Sequence, residues 1–213
     1  MRRIFSVVVV VCVLLLPESA SAQFDLSRLF GGGKQQGSAT TTTQSSHDPY
    51  QRLAATAPAA SVLNGTWSYQ SASFSYIGSN PLADVIIAQL NPVISDALTR
   101  LGITRGTATL SLQSGRGTIT HGDYVMSGGY TYTRSTAGVV ATTTLDSKEL
   151  SASGYVRYSS GEITVLLDAR ELAKAMKSVM PELALDQNFV LVETLLRDID
   201  GDVYVAAKFR ALR

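Results

Sequence analysis

Residues 150–167 read "LSASGYVRYSSGEITVLL", and their alternation decides the fold class. Leu150, Ala152, Gly154, Val156 and Tyr158 fall on one side of an extended chain, and Ser151, Ser153, Tyr155 and Arg157 on the other. After the turn formers Ser-Ser-Gly-Glu, Ile163, Val165 and Leu167 resume the apolar side. Successive side chains of a strand point to opposite faces, so this spacing describes an antiparallel hairpin with one buried and one wet face.

The same period extends outward in both directions. "TATLSLQ" (107–113) groups Ala108, Leu110 and Leu112, and the next strands cover 118–120, 124–134 and 139–144. "DVYVAAKFRA" (202–211) alternates Val203, Val205, Ala207 and Phe209 with Tyr204, Lys208 and Arg210. Short links such as "SGRG", "HGD", "STAG" and "DSKE" join these runs as hairpins. At the head, "NGTWSYQSASFSY" (64–76) gives Trp67 and Tyr69 one parity but Phe74 and Tyr76 the other. If both pairs face inward, the strand slips by one residue near Ser71–Ser73, the signature of a β-bulge.

Three stretches carry helical spacing instead. "NPLADVIIAQLNPVISDALTRLG" (80–102) repeats Asn-Pro, a pair suited to N-cap and first helical position. It predicts a kinked or two-part helix breaking near Pro92, with Leu82, Ile86, Leu90, Val93, Ala97 and Leu101 as its apolar stripe. "DARELAKAMKSVM" (168–180) opens on a capping box, Asp168 with Glu171, and places Leu172, Ala175, Met176 and Val179 together. "DQNFVLVETLLRDI" (186–199) aligns Phe189, Val192, Leu196 and Ile199 beyond the separating Pro181. The expected architecture is mainly β, an antiparallel up-and-down barrel of about eight strands, closed by pairing of the last strand with the first. A helical insertion follows strand 1 and a helical pair precedes the last strand. Closure removes the sheet edges that would otherwise invite aggregation.

The N-terminus reads differently. Residues 1–22, "MRRIFSVVVVVCVLLLPESASA", have a basic start, a short apolar run and an Ala-Ser-Ala ending, the pattern of a cleaved signal peptide. Residues 23–47 are dominated by Gly, Ser, Thr and Gln and are expected to be a disordered tether. Residues 48–62 form a short lead-in segment with helical character, and 63–213 the barrel domain. Cys12, the only Cys, lies inside the apolar run, so neither lipid attachment nor a disulfide is expected. Removing Arg2, Arg3 and Glu18 with the leader leaves acidic and basic residues equal in number. Without a basic run the chain carries no electrostatic footprint for nucleic acid. The expectation is an exported protein, periplasmic or secreted, not lipid-anchored and not membrane-spanning after signal cleavage.

"NGTWSY", an amphipathic helix, "GGYTYTR" and "LLDARELAKAMKSV" follow one another here in that order. The order resembles a lipocalin-like family of exported bacterial proteins known as a domain of unknown function, over roughly Leu63 to Arg213. The matching elements are the Gly-Thr-Trp-x-Tyr start (Gly65 to Tyr69), the Gly-led Tyr-x-Tyr strand (Gly129 to Tyr132) and the acidic-led helix (Asp168 to Val179). The resemblance implies a lipocalin-like barrel and supplies no catalytic residues. It also implies that Trp67 plugs the closed end, with Arg210 or Lys208 of the last strand packed over it.

Chemistry has few parts to work with. The histidines are His47, in the tether, and His121, in the turn "THGDY". No G-x-S-x-G elbow presents a nucleophile. "DIDGD" (198–202) lacks the spacing of an EF-hand loop and reads as a helix stop followed by a turn. No catalytic residue, metal site or cofactor is therefore expected. Met126, Tyr130 and Tyr132 share parity on one strand and, with Leu112 and Phe209, are the candidate lining for a small apolar or amphipathic ligand. About eight strands enclose little more room than side chains occupy, so a filled interior is the first expectation and a cavity the second. The functional readings are a non-catalytic binding module or, alternatively, an envelope scaffold or protein-interaction domain with a filled barrel.

Overall fold

The computed structural model describes residues 48–212 with the exception of Asp146. The leader, Cys12, the tether and His47 lie outside these residues. Two short helices come first, α1 (Pro49–Ala55) and α2 (Ala60–Leu63), then β1 (Gly65–Ile77) and α3 (Pro81–Arg100). Strands β2 (Ala108–Gln113), β3 (Arg116–His121), β4 (Tyr124–Thr133), β5 (Gly138–Leu145), β6 (Lys148–Ser159) and β7 (Glu162–Asp168) follow. Helices α4 (Ala169–Val179) and α5 (Gln187–Asp198) then lead into β8 (Asp202–Ala211).

Each strand pairs antiparallel with the next, and β8 returns to β1, giving a closed eight-stranded up-and-down barrel. The tight turns follow from local chemistry. Ser114–Gly115 and Ser160–Gly161 each have positive φ at both residues (47° and 83°, 52° and 80°), the geometry of two-residue hairpins that twist with their strands.

The bulge in β1 sits at Gln70, one residue before the expected stretch. Tyr69 faces Phe209 and Ser71 faces Lys208, so Gln70 is the extra residue. The slip lets Trp67, Tyr69 and Phe74 all be buried despite their opposed parities.

Beyond Ser68, β1 parts from β2 but stays on β8 to Ile77. Helix α3 covers the flank that β2 leaves bare. Here the expectation of a break near Pro92 is corrected, because α3 runs unbroken from Pro81 to Arg100. Asn80 caps it as expected, accepting from Leu82 N–H at 3.0 Å. Asn91 does something else: its Oδ1 accepts the Phe74 N–H at 2.6 Å, supplying the partner that the missing ladder would have given. Pro92 removes one helical hydrogen bond, but Pro92 and Ala88, whose carbonyl loses its donor, are both exposed to water. The apolar stripe is corrected in part. Among the described side chains of α3, Ala83, Ile87, Leu90, Ile94 and Leu98 are buried, Ile86, Ala97 and Leu101 of the expected stripe pack partly buried beside them, and Leu82 is 53 % exposed. Two adjacent faces of α3 are apolar, so spacing alone does not tell which meets the barrel. By length and composition α3 would pass as a membrane-crossing helix, a test that core helices also pass; one of its faces is packed on β1.

Asp168 caps α4 by accepting from Arg170 and Glu171 N–H, both at 2.8 Å. Glu171 does not complete the box. Its carboxylate reaches across to the Ser153 N–H of β6 at 2.6 Å and ties the helix to the wall. Arg170 caps the end of α5, donating to the carbonyls of Leu196 and Ile199. Phe189, Val192, Leu196 and Ile199 are all buried, as their spacing requires.

A second, smaller cluster lies on the outer wall, where Leu166, Tyr204 and Ala206 pack with Ile77 and Tyr155. Tyr50 of α1 lies on it, its ring 5.5 Å from Tyr155 and its hydroxyl donating to the Asp202 carboxylate. The lead-in segment is thereby fastened to the barrel.

Candidate functional site

The barrel is not filled. It holds a cavity of about 240 Å³, which corrects the first expectation for the interior. The room comes from small residues at inward positions: Gly117 on β3, Ala141 on β5, Ala152 on β6 and Ala207 on β8. Inward-facing Leu112, Ile119, Val165, Leu167 and Val205 are only partly buried because they face this space.

Small residues act in two ways here. A Cβ added at Gly117 would meet Leu112 Cδ2 at 3.4 Å and Tyr130 Cδ1 at 4.0 Å, ordinary contact distances, so Gly117 leaves usable space. A Cβ at Gly154 would fall 1.8 Å from the Leu166 carbonyl oxygen, so that glycine exists for close strand approach.

Two helices contribute to the lining. Leu63 of α2 forms part of the floor, and Leu172, Ala175 and Met176 of α4 form the roof. Near the roof the wall is thinner. Pairing between β4 and β5 runs from Thr133–Gly138 to Gly129–Thr142 and stops there, before the first five residues of β4. Across that gap the Thr143 hydroxyl donates to Ser127 O at 3.1 Å, with Met126 and Leu150 half-buried behind it. Among the described residues, no acidic, basic or histidine side chain lines the cavity.

A family model described as "Lipocalin-like domain (DUF4923)" matches residues 48–209. The chain belongs to this lipocalin-like family. The matched region takes in α1 and α2 as well as the barrel. Comparison with curated proteins and with solved structures finds no match.

Four of the residues singled out from the sequence, Leu112, Met126, Tyr130 and Phe209, line the cavity of this lipocalin-like domain. Tyr132 does not. Its hydroxyl donates to Pro58 O at 2.8 Å, anchoring the lead-in segment, and burial raises its pKa against the opposing pull of Arg134. Trp67 is 3 % exposed, outside the cavity lining, with its indole N–H on the Leu63 carbonyl. Arg210 is a correction. It sits on the outer face of β8 and donates to the Glu162 carboxylate at 2.6 and 3.0 Å, because its parity is opposite to that of inward Phe209. Lys208 shares that outer parity and is exposed.

The sequence reading missed Leu63 and the roof residues Leu172 and Met176 as cavity residues. The apolar face of α4 is legible, but its placement over the barrel end is a tertiary fact. Its buried position was foreshadowed only by the cluster Leu172, Ala175, Met176. His121 is not in the turn itself but ends β3 beside it, with Nδ1 3.0 Å from Thr107 O and outside the cavity lining. Asp202 of the acidic stretch receives Tyr50, and Asp200 O accepts the Tyr76 hydroxyl at 2.7 Å.

Proposed function

We propose that the chain is a non-catalytic binding module that takes one small apolar or amphipathic molecule into its barrel. The observation that carries this reading is the apolar cavity of about 240 Å³. An engineered cavity of about 150 Å³ already binds benzene, whereas sites for drug-sized ligands begin near 300 Å³. The occupant is thus larger than a single ring and smaller than a typical drug. We assign no catalytic residue, since His121 at the end of β3 lies outside the lining and, among the described residues, the lining offers no acid, base or activated nucleophile.

The leader over 1–22 supports export to the periplasm or the outside without a lipid anchor, with the mature chain beginning at Gln23. The mass of the protein recovered from its host tests that start.

Titration with the apolar fluorophore N-phenylnaphthylamine tests the binding reading. Saturable enhancement at one probe per chain is expected, lost in Gly117→Leu. Enhancement that never saturates, or that Gly117→Leu leaves unchanged, would remove the cavity as the site.

One observation favours an envelope scaffold as a second reading. Leu82 and Val85 of α3 are 53 % and 48 % exposed on neighbouring turns, a place for a protein partner. Loss of a cross-linked envelope partner in Leu82→Glu, with probe binding intact, would support it.

A further inference from the structure

The interior offers a ligand hydrogen bonds but no charge. Among the described residues no ionised side chain lines it. Two hydroxyls have inward parity. Thr143 donates its proton to Ser127 O, which leaves it lone pairs with which to accept. Tyr130 lines the cavity, and its hydroxyl makes no hydrogen bond among the described residues. Among the described residues it is the one phenol in the lining, able to donate and to accept.

A carboxylate drawn into this space would lose its hydration and find no cation in return, a large cost. An alcohol, ester or amide would lose less and could recover it at Tyr130 and Thr143. Building on the reading of the barrel as a binding module, we infer that its cavity selects an uncharged, mostly hydrocarbon molecule with one hydrogen-bonding group. Tyr130 is the residue that recognises that group.

The test is calorimetric titration of the full chain and of Tyr130→Phe with octanol, octanoate and naphthalene. At about pH 8 the carboxylate is fully ionised. Octanol is expected to bind at least about tenfold more tightly than octanoate. In Tyr130→Phe octanol weakens by about 3- to 10-fold, the usual worth of one net hydrogen bond, while naphthalene is unchanged. Unchanged naphthalene binding also shows that the variant is folded. Octanoate binding as tightly as octanol would overturn the selection and leave the binding module standing. Equal octanol affinity in both proteins would overturn the role of Tyr130. If none of the three binds, the binding module itself fails, and this inference with it.

Discussion

Trp67 donates its indole N–H to the backbone carbonyl of Leu63 at 3.0 Å, and both residues are buried. Leu63 ends α2 and forms part of the cavity floor. A four-residue helix has no stability of its own, so this bond and the burial of Leu63 hold the floor in place.

Trp67→Phe keeps most of the apolar bulk but leaves the Leu63 carbonyl buried without its donor. The expected loss is about 1–3 kcal/mol, and Trp67→Ala should lose about 3–5 kcal/mol by opening a void as well. Urea denaturation followed by circular dichroism measures both, since the substitution removes the only Trp. Equal midpoints for wild type and Trp67→Phe would mean that the bond contributes nothing.

Gly117 and Gly154 should respond in opposite ways to added side chains. Gly117→Leu fills space that its neighbours leave open and should raise stability by about 0.5–2 kcal/mol while abolishing ligand binding. Gly154→Ala drives a methyl group into the β7 backbone at Leu166 and should cost at least about 1–3 kcal/mol. Thermal unfolding of the two variants compares them directly. A loss of stability in Gly117→Leu would show that the cavity is smaller than its walls imply.

The barrel was legible because period two is local: Leu150 to Leu167 declares a hairpin from its own residues. The cavity lining was legible in part for the same reason, since Leu112, Met126, Tyr130 and Phe209 follow from parity. Parity does not report height along the barrel axis. Tyr132 has the parity of Tyr130, yet it sits where the lead-in segment crosses and is used there. Arg210 was misplaced because the resemblance brought a basic side chain to Trp67, whereas parity, which gave it the outer face, was right. Asn91 was read as a cap because capping is a local preference. The unpaired Phe74 N–H that claims it belongs to a strand seventeen positions earlier in the chain.

Asn91→Ala removes the acceptor for that N–H while leaving α3 otherwise unchanged. Phe74 is 5 % exposed, so water cannot readily take over, and a loss of about 1–3 kcal/mol is expected. Asn91→Asp retains an acceptor and should recover most of it at neutral pH. Denaturant midpoints for the three proteins check this. If Asn91→Asp were no better than Asn91→Ala, the helix and not the bond would be responsible.

Alkaline pH should loosen the fastening of α1 to the barrel. Burial raises the phenols of Tyr50 and Tyr69 from 10.0 to about 12, and for Tyr50 the Asp202 carboxylate adds to the effect. Tyr204 is raised in the same direction, first by burial and then by Tyr50. The native state therefore holds protons that the unfolded chain releases, so stability falls as pH rises. The contribution is complete below about pH 10 and is lost progressively as pH rises through about 12. Phenolate absorbance and circular dichroism recorded together from pH 8 upward should show Tyr ionisation delayed until tertiary structure begins to go. In Tyr50→Phe the delayed absorbance should shrink, and α1 should lose its attachment to Asp202. Ionisation of every Tyr near pH 10 with the fold intact would mean that these phenols are open to solvent and that α1 is not held down by Tyr50.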